Sequence, residues 1–304
     1  AGEWIVNVLR GEPQAALTGS GDGSGLMPEL VTDEIWYSLN NLVALTRAGA
    51  RVVRLPNGSY KVPAETTAAT AYWLSENSAI TDAASVFGDS SVEAHSIKAL
   101  LSVSNEMLED QPVYSQQAVM RSLTDALYRA MESAFLTGSG SNPQPEGIFT
   151  STDVTSTDLS STTLSIDAIL DAYYDVLGKG ANPANMCMIL HPQAAAFLEK
   201  IRENDGQTSE GGYLAGTAAP LFRDLRWIVT DRAPFTDAAT DTASVMIGDF
   251  QQGVTLYEFG QWRMNVDTSA AFANDSTMFR TVARMDVGIR HPELLHKLAD
   301  AELG

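Results

Sequence analysis

Apolar positions along this chain follow three rhythms, and each predicts a different kind of element. Ile35, Leu39, Leu42 and Val43 recur at helical spacing, predicting a helix from Pro28 to Ala48 with Gly49 just past its end. A longer stripe of Met120, Leu123, Leu127, Ala130, Met131, Ala134 and Phe135 predicts the longest helix, over 113–137. At about 1.5 Å per residue such a rod spans roughly 35–40 Å. Asp110 is placed to cap it, and Pro112 suits a first turn, where its missing N–H is not needed. Ile166, Ile169, Leu170, Tyr173 and Leu177 predict a helix behind Ser165 that ends at Gly178. Ala196, Phe197 and Ile201 predict another from Pro192 to Glu203.

Alternation is the second rhythm. Phe279, Thr281, Ala283, Met285, Val287 and Ile289 fall on one face of a strand, with Arg280, Arg284 and Asp286 on the other. Short, nearly continuous apolar runs are the third. They predict strands at His95 to Ser104, Met186 to Leu190, Arg226 to Thr230, Ser244 to Ile247, Val254 to Glu258 and Trp262 to Val266. Val52, Val53 and Leu55 before Pro56-Asn57-Gly58, with Tyr60 and Val62 after it, predict a hairpin turning at Asn-Gly. From Pro63 to Asp89 the chain is rich in Ala, Thr and Ser and poor in large apolar residues. A long hairpin with so little core of its own must lie on something else, such as a neighbouring subunit. The tract Thr18 to Gly25 is Gly- and Ser-rich and reads as a flexible arm. There is no internal repeat.

Composition narrows the function classes. The 304 residues suffice for about two domains, and the mix of 44% hydrophobic and 19% charged residues is that of a globular protein. Nineteen bases against thirty-eight acids leave a net charge of −19, a poor basis for gripping nucleic acid by phosphate neutralisation. Cys187 is the single cysteine, which excludes an intrachain disulfide, and its apolar surroundings read as a buried position. No stretch approaches the ~20 apolar residues of a membrane helix, and no secretory signal opens the chain. Ala1 at the first position fits either methionine removal or a protease-made end.

Candidate chemistry adds little. His95, His191, His291 and His296 form no metal-binding pair, and surface or packing roles are expected of them. There is no G-x-S-x-G elbow, and Gly138-Ser139-Gly140 lacks the third glycine of a dinucleotide site. Acid pairs such as Glu109-Asp110 and Asp237 with Asp241 read as solvated faces or caps. No catalytic, cofactor-binding or metal-binding residue is assigned, no cofactor is expected, and no enzyme activity is indicated.

The order of parts is more telling: an arm, a helix, an under-packed hairpin, a rod-like helix, a glycine turn and a mixed α/β portion. With Leu101 to Asp110 leading into the long helix, Leu136-Thr137-Gly138-Ser139-Gly140 and Glu146-Gly147-Ile148 after it, Met188-Ile189-Leu190-His191-Pro192, and Ile247-Gly248-Asp249-Phe250, the chain resembles the major capsid proteins of tailed bacteriophages, the Hong Kong 97-like fold. The likeness runs from about Pro28 to His296.

The resemblance implies an α+β layout. Residues 1–27 would be the N-terminal arm and 49–89 the extended loop. Residues 28–48, 90–150 and 254–288 would form the peripheral domain with its spine helix, and 151–253 with 289–304 the axial domain. It also implies hexamers and pentamers that self-assemble into an icosahedral virion shell, with the extended loop over the adjacent subunit. Enclosed double-stranded DNA would be held without sequence-specific contacts. A portal, and a decoration or cementing protein, would be partners, and no membrane would be involved. In many members a protease removes an N-terminal scaffolding segment. Assembly would take place in the host cytoplasm. The alternatives are the shell of a cellular encapsulin-type nanocompartment of the same fold, or an α/β enzyme.

Some members of the family join a loop lysine to a neighbour's asparagine, using a buried glutamate as base. Here the loop has one lysine, Lys61; Asn265 and Asn274 are the available acceptors, and Asp286 is the acid on the late strand. Arg284, two residues away, is expected to hold Asp286 ionised at a low pKa, which unsuits it as that base. A shell without covalent links between subunits is therefore expected.

Overall fold

The computed structural model describes residues 43–56, 58–67, 73, 86–110, 112–160, 162–201, 225–238, 240–269 and 274–303. The arm, most of the first predicted helix, Asn57, most of the loop beyond Thr67 and the polar stretch 205–212 lie outside them.

Two sheets share the chain. The first has β1 (Arg51–Leu55), β10 (Val254–Phe259), β12 (Ser276–Ile289) and β11 (Arg263–Asp267) in that order, with β4 (His95–Ser104) on the other side of β12. The second runs β5 (Thr155–Asp158), β13 (Leu295–Leu303), β9 (Asp241–Asp249), β6 (Met186–Leu190) and β7 (Arg226–Val229), with β8 (Phe235–Thr236) on β9. A separate two-stranded sheet pairs β2 (Tyr60–Thr67) with β3 (Val86–Val92). The helices are α1 (Ala44–Arg47), α2 (Asn105–Asp110), α3 (Pro112–Thr137), α4 (Ile166–Gly178), α5 (Pro192–Lys200) and α6 (Phe250–Gly253).

The long helix packs between the sheets because its apolar stripe faces both. Leu127, Met131 and Phe135 are buried with Leu256, Ala283 and Met285 of one sheet and with Cys187, Ile189 and Met246 of the other. Further along, Val119 and Leu123 pack on Val103 and Phe279. The predicted stripe is one residue too wide, since Ala130 is exposed. A sharp turn ends the rod: a Cβ on Gly138 would lie 2.3 Å from the Pro145 carbonyl oxygen, and one on Gly147 2.5 Å from the Gly138 nitrogen. Only glycine lets these two backbones pass so closely.

Three expectations need correction. The Asn57-Gly58 turn does not close a hairpin: β1 pairs in parallel with β10, while β2 pairs with β3. The turn redirects the chain between sheets, because the apolar run Val52 to Leu55 is worth more against Leu256 and Phe259 than against the polar strand that follows it. Asp110 is the last residue of α2 rather than a cap in open chain. The α5 helix stops at Lys200, with Ile201 already extended at φ −61°, ψ 130°.

Candidate assembly site

The hairpin β2–β3 springs from the first sheet. At its root Val92, Tyr257 and Phe259 are buried together with Tyr60, Val53, Leu55 and Ala94 packed against them. The Tyr60 ring stacks on Phe259 at a centroid separation of 6.2 Å. Past the root, among the described residues, the two strands pair with each other alone. Trp73, the one described residue between the strands, is fully exposed.

The root also covers Asp286. The Glu93 N–H donates to its Oδ2 at 2.9 Å and the Val287 N–H to its Oδ1 at 2.8 Å. Burial pushes this carboxyl above the usual carboxylate range, with the two backbone donors and His95 opposing only part of the rise. The expectation of an acid held low by Arg284 is overturned. Same-face residues two apart on a strand stand about 7 Å from each other. The hairpin root buries Asp286 but leaves Arg284 exposed to water.

Beyond the root the same sheet face lies open. Register places Lys98, Val282 and Arg263 in one row, Leu100, Arg280 and Asn265 in the next, and Arg284 beside Ser96. Lys98, Arg263, Arg280 and Arg284 are all exposed, and among the described residues none forms an ion pair. Leu100, 64% exposed, stands among them. Alternation alone located Arg280 and Arg284; Lys98 and Arg263 join them only through the strand register, which composition does not reveal.

The remaining candidates are dispersed. Lys61 is exposed at the root opposite Ser91. Asn265 is half-buried on β11, and Asn274 is exposed just before β12. His95 faces the Pro143 carbonyl at 3.2 Å, His191 accepts from the Gln193 N–H and stacks on Phe235, and His291 sits 3.1 Å from Glu293. Cys187 is buried, its thiol pushed up to about 12 by desolvation. Among the described residues no group of three His, Cys, Asp or Glu is arranged to hold a metal ion, and no helix is long and apolar enough to cross a membrane.

One buried polar group escaped the sequence reading, and another, His296, has the packing role expected of it. Glu132, on α3, is fully buried and accepts from the Thr230 hydroxyl at 2.7 Å, tying the long helix to the end of β7. His296 lies between Asp175 at 2.8 Å and Thr157 at 2.9 Å, bracing α4 against β13 and β5. Neither carries a spacing signal, since each partner is far away in sequence.

A family model described as the phage capsid family matches residues 10–300. The major capsid protein of Klebsiella oxytoca phage phiKO2 is 23% identical over 92% of this chain and 68% of its own length. The capsid of the empty GTA particle superposes with a TM-score of 0.69 at 20% identity, covering 98% of this chain and 97% of that one. For the Mycobacterium phage Bobi structure the TM-score is 0.64 at 11% identity, with 97% of each chain covered.

Proposed function

This chain belongs to the phage capsid family, and from that premise we propose that it is a major capsid protein whose copies assemble into the icosahedral shell of a virion. One observation carries the reading beyond family membership. Among the described residues the hairpin pairs with nothing but itself past its root, and Trp73 stands fully exposed, which supports a partner surface outside the subunit. A phage shell is favoured over an encapsulin-type compartment because the curated relative is a phage capsid protein.

The sheet topology supports a two-domain division. The first sheet with α3 forms the peripheral domain, the second sheet forms the axial domain, and β13 returns beside β9 to complete it. The extended loop is then the stretch between Tyr60 and Val92. Residues 1–27 act as the arm. Hexamers and pentamers of this subunit tile the shell, a portal occupies one vertex, and any cementing protein binds outside it. DNA is enclosed without sequence-specific contacts, since a strongly acidic wall repels phosphate. The protein works by self-association, with no catalytic, metal or cofactor site, and assembles in the host cytoplasm.

Electron microscopy of the purified chain tests this, with nucleic acid assayed inside any particles. Closed shells are expected, and those from infected cells should contain DNA. A chain that remains monomeric under all assembly conditions overturns the reading.

A further inference from the structure

The helix α5 begins with a cap that can titrate. Pro192 opens it without an N–H, and the Ala195 N–H bonds to the His191 carbonyl at 3.0 Å. The Gln193 N–H between them therefore needs a partner from outside the helix ladder. His191, extended at φ −74°, ψ 150°, takes the place usually filled by Ser, Thr, Asp or Asn: its Nδ1 accepts the Gln193 N–H at 3.2 Å. The same ring stacks on Phe235 of β8, with centroids 4.5 Å apart and planes 4° from parallel. One imidazole thus ties the start of α5 to β8, a two-residue strand that rests on β9 through Phe235 opposite Ala243 and Thr236 opposite Thr242. We propose that His191 is an acid-released latch: protonation at Nδ1 abolishes the cap, drives the ring out of its stack, and frees the first turn of α5 together with β8. Such a latch would operate whether or not the shell-building reading holds.

Three physical effects act in the same direction. A neutral imidazole with its proton on Nε2 offers a lone pair at Nδ1, whereas a protonated one donates at both nitrogens and would set N–H against N–H. The new charge would also sit at the positive end of the helix dipole. It would be carried by a half-buried ring, and burial already holds His191 below the ordinary histidine range, with Asp231 opposing. The charged groups on the surrounding elements are engaged elsewhere. Asp231, the one among them that bears on the ring, is 68% exposed and lies 3.6 Å from Arg232. Glu132 of the long helix accepts the Thr230 hydroxyl, and Asp300 of β13 accepts that of Ser244. β8 carries no ionisable side chain; Asp237 and Asp241 follow it in the chain, and Glu199 and Lys200 lie at the far end of α5. The other three histidines face partners that a protonated ring keeps: His95 the Pro143 carbonyl, His291 and His296 carboxylates. Since its folded value is depressed, His191 contributes stability that is full above about pH 6.5 and is lost as pH falls through the folded value.

Hydrogen–deuterium exchange on the full chain, assembled or not, tests the latch. Peptides covering 191–200 and 233–242 are compared at about pH 7.5 and about pH 5, after correction for the intrinsic pH dependence of exchange. On acidification wild type should lose protection about fivefold or more in both peptides, the effect of losing one cap, while β6 and α4 keep theirs. His191→Asn supplies a cap that does not titrate, so its α5 peptide should stay protected at both pH values. His191→Phe keeps a ring for the stack but has no acceptor, and should leave the first turn unprotected at both. Thermal unfolding checks that each variant is folded. Should one misfold, nitrogen NMR of unassembled wild-type subunits with labelled histidine reads the ring directly: neutral His191 should carry its proton on Nε2. Equal protection of the two wild-type peptides at both pH values, an acid step of the same size in His191→Asn, or a neutral ring protonated on Nδ1 each overturns the proposal. All three leave the shell reading intact.

Discussion

The two large sheets of this subunit are finished to different degrees. In the second sheet, β6 is buried along its whole length and β9 from Ala243 to Asp249. Cys187, Ile189 and Met246 face the long helix, while Met188, Leu190, Val245 and Ile247 face α4 and α5. Both faces are closed within one chain. The first sheet uses the same helix to close one face, through Leu256, Ala283 and Met285. Among the described residues its other face is closed only at the hairpin root and then opens onto cations and an exposed leucine. One sheet is a self-sufficient core. The other is half a contact.

The sharpest way to break that contrast is to remove what the open sheet lends to its neighbours. Replacing 62–90 by a short turn keeps the closing pair Lys61–Ser91 and the buried root at Tyr60 and Val92. The subunit should stay folded and soluble, yet form no closed shells by light scattering. The cut must spare β1, because Val52 packs on the main core. Shells that close without the loop would mean that it is not the assembly element.

Core truncations should act on folding instead. Met188→Ala, in the closed sheet, and Leu127→Ala, under both sheets, remove side chains that are essentially fully buried. Each should cost about 2–5 kcal/mol in thermal or denaturant unfolding. Leu123→Ala belongs to the same class, being 4% exposed. Arg121 and Asp125, exposed on the other side of α3, should tolerate replacement within about 0.5 kcal/mol. Leu100→Ala should resemble them in stability while lowering shell yield.

Legibility followed the same division. Elements whose burial is local and regular were readable: α4 behind its Ser165 cap, the all-apolar β6 and the alternating β12. β13 was missed because Leu295-His296-Lys297-Leu298-Ala299-Asp300 has no period of two. Its strand is imposed by β9 on one side and β5 on the other, with a register shift between Leu298 and Ala301. The Asn57-Gly58 turn was misread because turn chemistry says that the chain bends, not which strand it then meets. At the candidate site, the loop's poverty of apolar residues was visible in the sequence. The cationic face was not, since it joins residues from β4, β11 and β12 that only register brings together.

Titration separates the two regions more gently. Hydrogen bonds from Lys179 and then His296 hold Asp175 below the usual carboxylate range. Its contribution to stability is present above the unfolded value of about 3.9 and is lost as pH falls through the lower folded value. Asp286, raised by burial, has the opposite sign: the folded state holds its proton more tightly, so stability is full below about 3.9 and declines as pH rises through the raised value. In melting temperature against pH, Asp175→Asn should flatten the acid limb and Asp286→Asn the limb above it. Both effects should be small, since Asp175 is 39% exposed and Asp286 is partly compensated by backbone donors. An Asp286→Asn profile parallel to wild type would show that burial there carries no electrostatic cost.

The smallest expected effect is none at all: subunits in the mature shell should carry no covalent links to one another. By sequence alone the obstacle to such a link is the acid, with Arg284 keeping Asp286 ionised. The structure moves it, because Asp286 is buried, its carboxyl is raised, and the nearby Arg284 is exposed. As an acid in a dry setting, Asp286 would suit proton abstraction better than expected. Its two oxygens, however, already accept the Glu93 and Val287 N–H groups. The nucleophile is the greater difficulty. Lys61 is the only lysine between Arg54 and Lys98, and it sits exposed at the hairpin root rather than farther out along the loop. Particles boiled in denaturant should therefore run as one band at the 32.6 kDa of the single chain. A ladder of dimers to hexamers that survives boiling, and disappears in Lys61→Arg, would show that the open sheet is sealed by bonds rather than by charge and packing.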